Sequence, residues 1–198
     1  MTTAVVRAAG RLGWAAGRAL LALTLLCGVL YPLAVTGVAQ AVFPGKANGS
    51  PVRVAGEEVG SALIGQQWRG RKWFHGRPSH SGYDPRASGS GQLGASDPRL
   101  VASVRRTRHE VAELNGVPPA AVPPDAVTGS ASALDPHISP RYARIQSARV
   151  ARANGLPVQA VRALVASHTE GRGAGFLGEE HVNVLKLNVA LRAAAASR

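Results

Sequence analysis

Residues 19–45 read ALLALTLLCGVLYPLAVTGVAQAVFPG, 27 positions without a charge, directly behind an N-terminus dotted with Arg7, Arg11 and Arg18. As a helix rising about 1.5 Å per residue, Ala19–Phe43 reaches roughly 37 Å, more than the about 30 Å of a hydrocarbon core. Its few polar side chains, Thr24, Thr36 and Gln40, can bond within a helix or sit near its end, and membrane helices tolerate a proline such as Pro32. Trp14 and Phe43 bracket the run where interfacial aromatics sit. The stretch reads as one transmembrane helix and divides the chain into an N-terminal segment 1–18, a span 19–43 and a soluble domain 44–198. The same residues also fit a cleaved secretory signal, with an arginine n-region, an apolar run Ala19–Tyr31 and an A-x-A site at Ala39-Gln40-Ala41. On that alternative, the rest is an exported binding protein or hydrolase without partners. Three arginines precede the run, against Lys46 and Arg53 just after it, so the positive-inside rule keeps the N-terminus cytoplasmic and sends the C-terminal domain outside.

About 150 residues remain for the domain, enough for one compact unit with its own core. The chain's single cysteine, Cys27, lies in the apolar run, so the domain must be held by packing without an internal disulfide. Twenty cations face eleven acids after residue 45, a surplus of nine. Arginine outnumbers lysine 20 to 3 and is scattered along the chain, which marks a compositional bias and argues against a nucleic-acid surface.

The domain alternates strands and helices, an α+β pattern. Val52-Arg53-Val54 reads as a strand before a turn at Gly56, and Ser61–Trp68 as a second. Gly70–Ser96, glycine-rich and carrying Pro78 and Pro85, has no helical period and reads as a long ordered loop. Asp97-Pro98 opens a helix with an N-cap and a proline at the first turn, its apolar face set by Leu100, Val104, Val111 and Leu114. A connector rich in proline follows, from Pro118 to Pro124, with room for one short turn. Ser139-Pro140 starts a second helix that stops at Asn154-Gly155, and a third covers Val158–Ser167 with Val161, Leu164 and Val165 inward. Val182-Asn183-Val184 reads as a strand feeding a last helix from Leu187.

Motifs for chemistry are sparse. Gly173–Gly178 matches G-x-G-x-x-G, but a helix precedes it and a strand follows, the reverse of the dinucleotide arrangement, so it reads as a turn. No P-loop is present. The six histidines (75, 80, 109, 137, 168, 181) show no i, i+4 pair, the acids form no cage of oxygen ligands, and no metal site is expected. Ser88-Gly89-Ser90-Gly91 lacks the flanking pattern of a nucleophile elbow. The run Ser88–Gln92 does have the small residues of an anion cradle, beside the plainer reading of a packed loop.

Five blocks resemble, in order, the C subunits of Kdp-type potassium-transporting ATPases: Ser61–Gln67 (SALIGQQ), Trp73–Ser79 (WFHGRPS), Tyr83–Gly89 (YDPRASG), Leu134–Pro140 (LDPHISP) and Val182–Asn188 (VNVLKLN). Tyr31-Pro32 and Asn48-Gly49-Ser50 belong to the same resemblance. It implies a retained anchor and a non-catalytic accessory subunit of a high-affinity, ATP-driven potassium import complex in the bacterial inner membrane. The implied partners are a potassium-translocating subunit, a P-type ATPase subunit and a small one-helix subunit, and the implied task is assembly of the complex. The resemblance also implies a role as catalytic chaperone that raises the ATP affinity of the P-type subunit, with ATP held at Ser88, Gly89, Ser90, Gly91 and Gln92. In a mechanical version, the span packs through Gly28, Ala34, Gly37 and Ala41, and the domain covers the outer mouth of the translocating subunit. The interface then falls on Trp73, Phe74, His75, Gly76, Arg77 and Tyr83, with Trp73 and Phe74 alternatively serving as core.

Overall fold

The computed structural model describes residues 2–197, with side chains from Arg7 onward, and the chain divides into two compact units after Ser50. The first is helical almost throughout. Helix α1 (Thr2–Leu25) runs into one wide π turn (Leu26–Leu30) and on into α2 (Tyr31–Val42). Pro32 explains the wide turn: it has no N–H to give and its ring crowds the carbonyl four residues back, and Tyr31 N–H reaches instead to Leu26, five residues back. Helix begins well before residue 19, so Arg7, Arg11 and Arg18, four and seven residues apart, fall within about 40° of one face. A single turn, α3 (Pro44–Ala47), follows. Gln40 and Asn48 exchange both amide hydrogen bonds at 3.2 Å, which staples the end of α2 to the turn beyond it.

The second unit opens on an antiparallel hairpin, β1 (Pro51–Val54) and β2 (Glu57–Ser61). Ala55 and Gly56 both take positive φ, 52° and 88°, as a two-residue turn of the I′ kind requires. That tight turn puts the second strand at Glu57–Ser61 and overturns the expected strand Ser61–Trp68. Residues 62–68 instead pack irregularly, with Ala62 O accepting from Asn183 Nδ2 (2.7 Å) and Gly65 N–H donating to Leu134 O (2.7 Å).

After the ordered loop comes α4 (Pro98–Asn115), capped by Asp97, whose carboxylate accepts from Arg99 N–H. Two 3-10 turns, Pro119–Ala121 and Pro124–Ala126, fill the proline connector where one was expected. Strand β3 (His137–Ile138) leads to α5 (Pro140–Ala153), where Ser139 Oγ accepts from Tyr142 N–H at 3.0 Å and Asp125 in turn accepts from both Ser139 donors. Helix α6 (Val158–Ser167) and the strands β4 (Thr169–Glu170) and β5 (His181–Asn183) follow, and α7 (Val184–Ala196) ends the chain. The last helix starts at Val184, three residues earlier than expected, because Asn183 is at once the final strand residue and the cap, its Oδ1 accepting from Lys186 N–H. The sheet order is β3-β5-β4, antiparallel, and Gly173–Gly178 forms the turn region joining its last two strands.

The core gathers Phe74, Ile138, Val150, Val161, Val182, Leu187 and Leu191, so α5, α6 and α7 close over the small sheet and over one residue of the loop. Backbone crossings are close. A Cβ on Gly65 would lie 2.6 Å from the Asp135 carbonyl and 2.8 Å from the Tyr83 ring. Gly65→Ala should therefore destabilise the domain by about 1–3 kcal/mol, as overpacking against backbone does. Gly94→Ala, where nothing stands within 4 Å, should change it by less than about 0.5 kcal/mol. Thermal denaturation of the solubilised full chain, followed by near-UV circular dichroism, checks the pair.

Candidate functional site

The long loop is ordered by side chains that act as a missing strand. Asn188, on α7, accepts from Phe74 N–H and donates to Phe74 C=O, both at 2.9 Å. Gln146, on α5, does the same for His75, at 2.8 and 3.1 Å. Both amides are fully buried, so each satisfies two backbone groups that would otherwise lie dry and unpaired. Arg149, only 3% exposed, completes the row. Its Nε donates to Asn115 Oδ1 (2.9 Å), Nη1 to the carbonyls of Arg71 and Trp73, and Nη2 to Gln146 Oε1 (2.8 Å). No carboxylate neutralises it among the described residues; burial lowers its pKa to about 10, so it remains charged at neutral pH.

Downstream, the loop closes on a second knot. Arg77 donates to Asp135 Oδ2 (3.0 Å) and to the carbonyls of Gly129 and Thr128. The Tyr83 hydroxyl donates to Arg77 C=O, and burial pushes its pKa up to about 12. Asp135 is pushed upward by burial, but hydrogen bonds from His137 and Arg77 outweigh this and hold its carboxyl below the usual range. Gly65, Gly76, Tyr83 and Asp135 meet here, and a Cβ on Gly76 would lie 2.5 Å from the Tyr83 oxygen. The five sequence blocks quoted above thus converge in space, through Ala62–Asn183, Gly65–Leu134, Arg77–Asp135, Tyr83–Arg77 and Phe74–Asn188.

The expected interface residues separate under this geometry. Phe74 is fully buried and belongs to the core, the alternative weighed for it above. Arg77 and Gly76 are held inside the knot, and substitutions there act on the fold first. His75 is half-buried, its Nε2 bonded to Gly70 C=O at 2.8 Å; burial lowers its pKa from the usual value. Trp73 and Tyr83 keep partial exposure. The larger exposed apolar groups lie elsewhere: Leu63 after the hairpin, and Phe176 (71% exposed) with Leu177 (60%) in the segment joining β4 to β5.

The expected anion cradle is a surface loop folded back on its neighbour. Gly89 N–H and Ser88 Oγ both donate to Ser132 C=O, and Gln92 N–H donates to Ser90 Oγ. Gly91 and Gln92 edge a cleft of about 360 Å³ shared with His80, Arg106 and Thr128. Among the described residues no group of three or more His, Cys, Asp or Glu is placed to hold a metal. Asn115, Gln146, Arg149 and Asn188 were missed by sequence reasoning. Their one signal was polarity in register with an apolar helix face, as in Asn188, four residues after Val184 and three before Leu191.

Replacing Asn188 with Leu keeps the volume but strands both Phe74 backbone groups, at about 1–3 kcal/mol each. The expected result is a large loss of thermal stability in the solubilised chain. A second expectation concerns pH. The folded His75 pKa lies below its unfolded value of 6.5, so the unfolded chain binds the proton first. Stability should fall as pH drops below about 6.5, and His75→Gln, which keeps a donor for Gly70, should flatten that slope in denaturant titrations between about pH 5 and 7.

The family described as KdpC: K+-transporting ATPase, c chain, matches residues 14–193. The chain is 52% identical over 182 residues to the potassium-transporting ATPase KdpC subunit of Nitratidesulfovibrio vulgaris, covering 90% of this chain and 92% of that one. It is 53% identical over 178 residues to the KdpC subunit of Kineococcus radiotolerans, covering 89% and 90%. For the Streptomyces coelicolor subunit the identity is 47% over 216 residues, with 96% of each chain covered.

Proposed function

Because the chain belongs to the KdpC family, the c chains of K+-transporting ATPases, we propose that it works as a membrane-anchored, non-catalytic subunit that braces and covers the translocating part of a potassium import complex. The observation that carries the proposal is the helix Arg7–Val42: 36 residues long, apolar enough to span a bilayer, and with none of its most apolar window buried in the chain itself. A bare apolar helix needs lipid or other helices around it. The partners on this reading are a potassium-translocating subunit, a P-type ATPase subunit and a small one-helix subunit. The matched stretch takes in the whole apolar run, and an exported, signal-cleaved protein working alone finds no support in the relatives.

The arginine face of α1 lies in the cytoplasm on this proposal, and the α+β domain lies outside. Contact with the translocating subunit falls on exposed apolar groups, Leu63, Phe176 and Leu177, while Phe74 and Arg77 hold the surface that presents them. A second reading, ATP contact at Ser88–Gln92 as a catalytic chaperone, draws on the cleft beside Gly91, where Arg106 supplies a cation for a phosphate. It requires the domain to be cytoplasmic.

A compartment-specific reporter fused after Arg198 separates the two: activity outside is the expected result, and activity inside would favour the nucleotide reading. In the same assembly, the double variant Phe176→Ser and Leu177→Ser should lower recovery of the complex on pull-down several-fold and leave the domain's melting unchanged. Full recovery and normal potassium uptake would sink the contact assigned to these two residues.

A further inference from the structure

A groove of about 490 Å³ opens between the β1–β2 hairpin and the end of α7. Its walls are Val54, Val59, Trp68, Trp73, Leu185 and Val189. Trp68 and Trp73, its aromatic lining residues, meet with ring centroids 5.0 Å apart. Two cations, Lys72 and Arg192, stand at the groove, Lys72 Nζ lying 5.1 Å from the Trp73 centroid, and no acidic side chain lines it among the described residues. Arg69 and Arg71 add exposed positive charge in the same turn.

The polar atoms of the groove say what it lacks. Asn188 is spent on Phe74, and Asn154 donates to the carbonyls of Lys72 and Val150. Trp68 Nε1 is buried and so offers no donor to an occupant of the groove. An apolar slot of this size with two cations at its edge matches a single amphiphile with an apolar chain and an anionic head.

We propose that this groove binds the acyl chain of one anionic phospholipid, with its phosphate met by Lys72 and Arg192. Charge complementarity selects the anionic head, and the tryptophan–lysine pairing suits the boundary between headgroups and chains. Connectivity supplies the source. Only eleven residues lie between Val42, the last of the apolar helix, and Val54 on the groove wall, so the groove is carried by a chain that the helix anchors in a bilayer. The inference does not depend on the side of the membrane, and its failure leaves the proposed function standing, since the anchor and the contacts of Leu63, Phe176 and Leu177 do not involve the groove.

The test uses the full chain with Trp14→Phe, which leaves Trp68 and Trp73 as the only fluorophores of their kind. The protein is reconstituted into vesicles of phosphatidylcholine and phosphatidylglycerol, with bromine on the acyl chains of one lipid or the other at equal mole fraction. Quenching about threefold stronger from brominated phosphatidylglycerol is expected, given a few-fold preference for each basic residue at an anionic head. Lys72→Gln with Arg192→Gln, both on exposed positions, should erase the difference. Equal quenching by the two lipids, or none, overturns the proposal. So does loss of quenching when the other subunits are co-reconstituted, since the groove would then hold a protein segment.

Discussion

Two buried amides, Gln146 and Asn188, hold the domain together by gripping the backbone of consecutive loop residues, His75 and Phe74, in the manner of a neighbouring strand. Their side chains come from different helices, α5 and α7, so the loop is clamped across the gap between them. Once Phe74 is fixed, its ring fills the core among Val150, Leu187 and Leu191. Arg149 then ties the same segment to the end of α4 through Asn115. A buried guanidinium facing only neutral acceptors is costly to desolvate, and its place here rests on having each of its nitrogens bonded.

This arrangement lets a domain with a small sheet and short strands remain specific. The β3-β5-β4 sheet has only two residue pairs at each junction, too few for independent stability. Register therefore comes from side-chain networks. Asn183 reaches Ala62 while capping α7, and Asp135 receives both Arg77 and His137. The consequence for function is a division of labour inside one loop. Phe74, Arg77 and Tyr83 pack inward or into the knot and set the shape, and what a partner or a lipid meets is the rim they hold in place: the tryptophan groove with Lys72 and Trp73, and the Phe176–Leu177 segment.

Much of the helical framework was legible because its signals are local. Asp97, Ser139 and the pair Asn154-Gly155 mark helix ends at the positions where the structure has them, and the inward set Val161, Leu164, Val165 follows from a 3.6-residue period. The hairpin was half legible. Val52–Val54 has the alternation of a strand, whereas the start of β2 depends on Ala55 accepting a positive φ, which alanine rarely signals. The segment after it, 62–68, looked like a strand because it is apolar. Its partners, Asn183 and Leu134, lie more than 65 residues away in the sequence and leave no local trace.

Sequence by itself determined the long uncharged helix, the absence of any disulfide in the domain, the order of the helices and the family, because each depends on residues near one another or on an ordered set of blocks. Tertiary structure alone decided which polar residues are internal. Gln146, Arg149 and Asn188 lie in register with apolar helix faces, and only the loop backbone brought against them explains polar side chains there. It also decided that Phe74 is core, while Trp73, one residue earlier, keeps an open face. In an extended chain successive side chains point to opposite sides, and only the packed helices define which side is inside.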